Sequence, residues 1–355
     1  MTRKAPRDRL CRPVSLWPSS DQAAWAKSKE PAGPFDPRNA GSSWSPATWR
    51  KTAAGNGFFL TWLDGRGELD PEASAAQRVT RERLTAYLEF LKKRNLGHTI
   101  HNRIQELGNA MRILAPDRDW SWIGRAASRL RAEAVPAREK LSRLRPLDEL
   151  IAAGLALMDF AETEPDFSPR RRAILYRDGL MITFLGFNPI RLRNFANVRL
   201  PEHLRENCTV LAIPASEIKG RRRPHEAWIA ELLKQKLARY LQHHRLVLLT
   251  LRPRKEAHID HLWVSAEGTP LSEEGIYRRV AKATARSGTR IGPHLFRSCA
   301  ATTIAIRAPK DIHVITPVLD HSGRRVGERY YNMAGSIEAA RAYTKAVDSR
   351  RCDKE

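Results

Sequence analysis

Apolar side chains in the first half of the chain recur every three or four residues. Leu84, Leu88 and Leu91, with Tyr87 beside them, fall at i, i+4 and i+7, and Ile100, Ile104, Leu107, Met111 and Leu114 form a second stripe. Residues so spaced lie on one face of an α-helix, so each run predicts an amphipathic helix whose stripe covers a core. Thr99 is the natural N-cap of the second helix, because its hydroxyl can accept from a free backbone N–H, and Pro116 stops it. Trp120, Trp122 and Ile123 then lead into a basic helix that carries Arg125, Arg129 and Arg131.

The flanks read differently. Residues 1 to about 45 are rich in Pro, Ser, Lys and Arg and hold no apolar period, which predicts a flexible or loosely packed basic arm. The aromatic run GFFLTWL at 57–63 is suited to docking that arm on the body. Pro136 and Pro146 mark a linker, and a longer mixed segment follows, from about 147 to 345. There Ser168-Pro169 opens a helix through Ile174, Leu180, Met181, Phe184 and Leu185, since proline at the first helical position has no N–H to leave unbonded. Residues 209–213 and 226–229 predict two short strands on either side of the charged turn SEIKGRRRP. Helices resume from 230. The expected fold class is α+β, mostly α with a small β-sheet. The expected division is a basic N-terminal arm (1–70), a helical domain (71–145) and a mixed domain with a C-terminal helix (146–355).

Charge changes the picture. The chain carries 62 Lys+Arg against 39 Asp+Glu, a formal net charge of +23. Such an imbalance repels itself in a compact chain and points to a polyanionic partner, nucleic acid or an anionic membrane. The most apolar stretches, 58–63 and 246–251, are far too short to span a bilayer, so no membrane partner is expected. The opening MTRKAPRDRL lacks the apolar core of a secretion signal, which predicts a cytoplasmic protein. Cys11, Cys208, Cys299 and Cys352 lie far apart and make no CxxC or Cys/His ligand spacing, so reduced thiols and no zinc site are expected. Lys and Arg on the outer helix faces read either as a solvated surface or as one that faces DNA.

Five places in the second half each offer a group that can bind or attack a phosphodiester. Arg191 stands in NPIRLRNF, where Pro189 would start a helix and put Arg191 in its first turn, among free N–H groups that favour phosphate. Lys219 sits at the tip of the predicted hairpin. His294 and Arg297, in PHLFR, are spaced to share one face of a helix beginning at Pro293. His321 follows in LDHSG, and Tyr330 comes nine residues later in ERYYNMA. Each alone is weak. Their order and spacing together are hard to reach by chance.

With these residues in place, the segment from about 168 to 335 resembles the catalytic domain of the tyrosine recombinases, the phage-integrase family. That family carries an Arg in a GLRxxEL-like box, a Lys in a hairpin turn, HxxR, an LGH-like box and a Tyr nine residues on. Arg191, Lys219, His294 with Arg297, His321 and Tyr330 fill those positions. The helical stretch 78–134 stands where the family has its core-binding domain, by position and helicity alone. The chain departs from the pattern in three ways: Pro189 replaces a Gly, Asn194 replaces an acid, and Asp320 replaces the Gly of LGH. Tyr331 follows Tyr330, but consecutive helical residues point about 100° apart, so one phenol faces a given phosphate, and the spacing selects Tyr330.

The resemblance implies a site-specific recombinase or integrase that works on double-stranded DNA without metal, ATP or other cofactor, as a homo-tetramer on paired sites. A tyrosine ester conserves the energy of the broken phosphodiester, so rejoining needs no fuel. Arg191 and Arg297 would clamp the phosphate, because guanidinium stays charged and binds its oxygens in pairs. Lys219 would protonate the departing 5′ oxygen, His294 would help take the Tyr330 proton, and His321 would bond a non-bridging oxygen. Residues 336–347, with Ile337, Ala340, Tyr343 and Val347 at helical spacing, form a helix that either exchanges between protomers or packs on its own subunit. A bacterial, nucleoid-associated setting is expected. A type IB topoisomerase and a silent DNA-binding regulator of the same fold are the rival readings.

Overall fold

The structure is a computed structural model that describes residues 11–30, 35, 41–42, 44–135, 141–218, 223–251, 259–308, 310–311 and 319. The chain divides into two compact units, Met1–Glu139 and Lys140–Glu355. Among the described residues it is mostly helical with one three-stranded antiparallel sheet, the fold class that the sequence predicts.

In the first unit the described helices are α1 (Ser19–Lys27), α2 (Pro46–Asp64), α3 (Ala75–Arg78), α4 (Arg81–Lys92), α5 (Gly97–Leu114) and α6 (Ser121–Glu133). The two apolar stripes are its core: Leu84, Tyr87 and Leu91 from α4 meet Ile100, Ile104, Leu107 and Met111 from α5, with Phe59, Trp62 and Ile123 packed against them. The cap of α5 differs from expectation. The helix starts at Gly97 with Leu96 as N-cap and no side-chain cap, which leaves Thr99 inside the first turn. A Cβ on Gly97 would come within 3.0 Å of Ala134, so close packing at the end of α6 outweighs the better capping residue.

The basic arm is not loose where it is described. Trp17 and Trp25 are buried with Leu60 and Ile113, and the Trp25 ring meets Trp17 and Trp49 edge-on at 5.2 and 4.8 Å. Asp21 of α1 pairs with Arg78, both buried. Tryptophans are too few there to make a period, yet each buries enough area to anchor a segment. The run 57–63 is not a separate element but the end of α2.

The second unit is built around α8 (Pro169–Phe187), capped by Ser168 with Pro169 in the first turn as predicted. It lies against α7 (Leu147–Thr163), where Gly154 and Gly179 let the backbones touch: a Cβ on Gly179 would stand 2.6 Å from the Gly154 carbonyl oxygen. From Tyr176 to Gly186 every residue of α8 is buried. That run includes Arg177 and Asp178. Arg177 donates to Asp178 at 2.7 Å and to the Val264 carbonyl at 2.7 Å, and Arg279 holds the other carboxylate oxygen of Asp178.

After α9 (Leu192–Ala196) comes a sheet of order β1-β2-β3, with β1 (Leu204–Arg205), β2 (Val210–Ile213) and β3 (His225–Trp228). Val210 pairs with Trp228 and Ile213 with His225, so β2 and β3 are the two predicted strands. α10 (Glu231–Arg239) runs through a π-helical turn (Tyr240–His244) into α11 (Arg245–Leu249). α12 (Glu273–Ala285) and α13 (Pro293–Arg307) complete the described helices. Trp263, fully buried among Phe184, Phe195 and Tyr240, is the aromatic centre of this core. No described helix is long and apolar enough to cross a membrane. Cys11, Cys208 and Cys299 are not in disulfides.

Candidate functional site

Arg191 is the N-cap of α9, not a residue of its first turn, with φ −67° and ψ 143°. Pro189 does not open the helix: the Asn188 N–H still bonds Phe184 at the end of α8, and the Ile190 N–H turns back to Asn188 at 2.7 Å. The chain therefore reaches Arg191 extended and coils only after it. A helix of five residues is too short to hold itself, and α9 is kept by Phe195, fully buried 4.8 Å from Trp263. Arg191 is half-buried on this anchored turn.

α13 begins as the sequence predicts, with Pro293 in its first turn and Gly292 as N-cap. A Cβ on Gly292 would meet the Tyr277 ring at 2.5 Å, so only glycine fits. His294 is exposed and Arg297 is half-buried. Arg297 does more than its spacing suggests. Its Nη1 donates to the Pro189 carbonyl at 2.8 Å, and its Nη2 to the carbonyl of Leu319. Pro189 lies two residues before Arg191, and Leu319 two before His321. One guanidinium thus ties together the stretches that carry three of the motif boxes.

Lys219, His321 and Tyr330 lie outside the described residues, as do Asp320, Arg324, Arg325, Tyr331 and the helix expected at 336–347. Three of the four described phenols are poorly suited to attack. Burial pushes Tyr240 up to about 12 and raises Tyr87 and Tyr176 as well, which disfavours the phenolate that attack requires. Tyr277, whose ring covers Gly292, is the remaining described tyrosine.

Sequence reasoning missed a second polar cluster, at the foot of the hairpin. Arg199 contacts Glu202 Oε2 through Nε and Glu217 Oε1 through Nη2, both at 3.0 Å. His203, 1% exposed, places Nε2 3.3 Å from Glu217 Oε1 and 3.7 Å from Glu202 Oε1. Its Nδ1 lies 3.1 Å from the Arg199 N–H and 3.0 Å from the Asn197 carbonyl. Glu202, His203 and Glu217 could each lend one ligand atom to a metal, these atoms lying within 4.8 Å of one another. Arg199 already stands against both carboxylates and supplies their counter-charge, so the cluster closes as an ion-pair network. The one signal in the sequence was Glu217, two residues before Lys219 in SEIKG.

No family model and no curated protein matches the chain. Solved structures do. The XerH site-specific recombinase bound to palindromic difH substrate, in a post-cleavage complex, is 14% identical with a TM-score of 0.57, over 97% of this chain and 100% of that one. XerH bound to difH in a pre-cleavage complex is 16% identical with a TM-score of 0.55, over 92% and 95%. The chain has the fold of the tyrosine recombinases.

Proposed function

We propose that this chain is a site-specific DNA recombinase or integrase that cuts and rejoins double-stranded DNA through a 3′-phosphotyrosine on Tyr330. The observation that carries the reading is Arg297, bonded at once to the stretch before Arg191 and the stretch before His321. The fold shared with XerH and the charge of +23 support it.

In this reading the Tyr330 oxygen attacks phosphorus, and Arg191 and Arg297 hold the charge that builds on the non-bridging oxygens. His321 bonds one of those oxygens, and His294 eases loss of the phenol proton. The P–O5′ bond breaks, and the departing oxygen takes its proton from Lys219 Nζ. A 5′ hydroxyl from a partner strand then reverses the steps, which needs neither ATP nor metal. Residues 71–145 act as the DNA-clamping core-binding domain and 146–355 as the catalytic domain, in a homo-tetramer on paired sites. Affinity comes largely from Lys and Arg on phosphates, so binding weakens steeply with salt.

The test is incubation with nicked suicide DNA followed by denaturation. The wild-type chain forms a covalent protein–DNA band, Tyr330→Phe forms none, and Arg297→Ala forms it about a hundredfold more slowly or worse. Sequencing the attachment points maps the cleavage site. A band that persists in Tyr330→Phe would remove the nucleophile from the proposal, and a wild-type gel shift with no covalent band would leave a DNA-binding regulator.

A further inference from the structure

His203 is almost wholly buried, yet its Nε2 has no hydrogen-bond partner and faces the two carboxylates that Arg199 holds. A neutral ring that accepts from the Arg199 N–H at Nδ1 carries its hydrogen on Nε2, and a charged ring carries one on both nitrogens. With a hydrogen on Nε2, the ring holds a buried N–H beside Glu217 Oε1, 3.3 Å from the nitrogen. That carboxylate ends the 3₁₀ turn Ala215–Glu217, and Ile218 behind it is buried, so the two residues that precede Lys219 in the sequence are both anchored. When Nδ1 instead carries the hydrogen, it gives up the Arg199 N–H and donates to the carbonyl of Asn197, the C-cap of α9, whose N-cap is Arg191. The contacts therefore run from the turn that presents Arg191 to the foot of the hairpin.

We infer that His203, Arg199 and Glu217 form a positioning clamp that fixes the foot of the hairpin and, through it, the reach of Lys219 to the leaving 5′ oxygen. This rests on the proposed role of Lys219. A general acid must come within about 3 Å of the atom it protonates, and a displacement near 1 Å can cost about a hundredfold in rate.

Sulfur in place of the bridging 5′ oxygen separates positioning from folding. A thiol has a pKa of about 8.5, so a 5′ thiolate leaves without a proton and needs no general acid. Cleavage is measured in single turnovers on a suicide duplex carrying the mapped site, with oxygen or sulfur at that position. Glu217→Gln and His203→Phe are expected to cut the oxygen duplex about ten- to a hundredfold more slowly and the sulfur duplex at the wild-type rate. His203→Gln, which keeps a donor near Nε2, recovers most of the lost rate, and Lys219→Ala shows the same sulfur rescue. The clamp is overturned if Glu217→Gln, which removes a charge without removing bulk, leaves the oxygen duplex unaffected. It is overturned too if both variants slow the two duplexes alike while Lys219→Ala is rescued, and the role of Lys219 then stands. A Lys219→Ala protein slowed on both duplexes overturns that role and the clamp with it.

Discussion

The two units bury charge in different ways. In the first, amphipathic helices turn one apolar stripe inward, and its buried ion pair, Asp21 with Arg78, joins two helices near the chain's start. In the second, α8 is buried on every side from Tyr176 to Gly186, and Arg177 and Asp178 lie within that buried run. A helix with a wet face can place charged residues there. A helix with none must bring their partners inside, and α8 does so with Arg279 and the Val264 carbonyl. The lesson is that the first unit tolerates change on one face of each helix, and α8 has almost no face to spare.

The sharpest way to break this contrast is to remove the shared carboxylate. Asp178→Ala leaves two guanidinium groups without it and is expected to cost about 3–5 kcal/mol in urea unfolding. Asp21→Ala should cost less, since one guanidinium loses its acid and Arg78 keeps the carbonyls of Asp70 and Ala73. Equal losses would erase the distinction. Next in size, Gly179→Ala drives a methyl into the Gly154 carbonyl and is expected to cost about 1–3 kcal/mol, read as a lower melting temperature.

Acid should separate the units as well. Burial pulls the His244 imidazole below its ordinary value of 6.5, outweighing the opposite pull of Glu162. A histidine that stays neutral when folded but charges freely when unfolded contributes stability that is complete above about pH 6.5 and is lost as pH falls through the lowered value. In the first unit burial outweighs Arg78 and raises the Asp21 carboxyl, so its contribution is greatest in acid and declines as pH rises through the raised value. Urea melts between about pH 8 and pH 5, followed through buried Trp263, should show the second unit weakening in acid, with a flatter profile in His244→Gln. An unchanged profile in that variant would assign the acid response elsewhere. Smallest of all, Gly124→Ala in α6, where a Cβ meets nothing within 4 Å, should stabilise the chain by about 0.5–1 kcal/mol.

The sequence disclosed what one element can encode. Stripes on α4 and α5, the Ser168-Pro169 start of α8 and the Pro293 start of α13 were all legible, because each is a local rule of spacing or capping. α7 was not, since apolar residues lie on most of its sides and blur the period. β1 has two residues, too few to alternate. Arg191 was placed inside the first turn of its helix, not at the N-cap, because Pro189 continues the exit from α8. The cluster of Arg199, His203 and Glu217 could not be assembled from the sequence, since its members come from the segment before β1 and from the turn after β2.

The two carbonyl bonds of Arg297 bear on chemical rescue. Free guanidine added to an Arg297→Ala protein restores a planar cation but no covalent tether to α13. A loose ion would have to find the Pro189 and Leu319 oxygens unaided, so it should recover a fraction of the lost activity at best. Lysine keeps the tether but offers one nitrogen where the native side chain spans two separated acceptors. Neither substitute is both staple and reagent, which is what this position asks of a single residue.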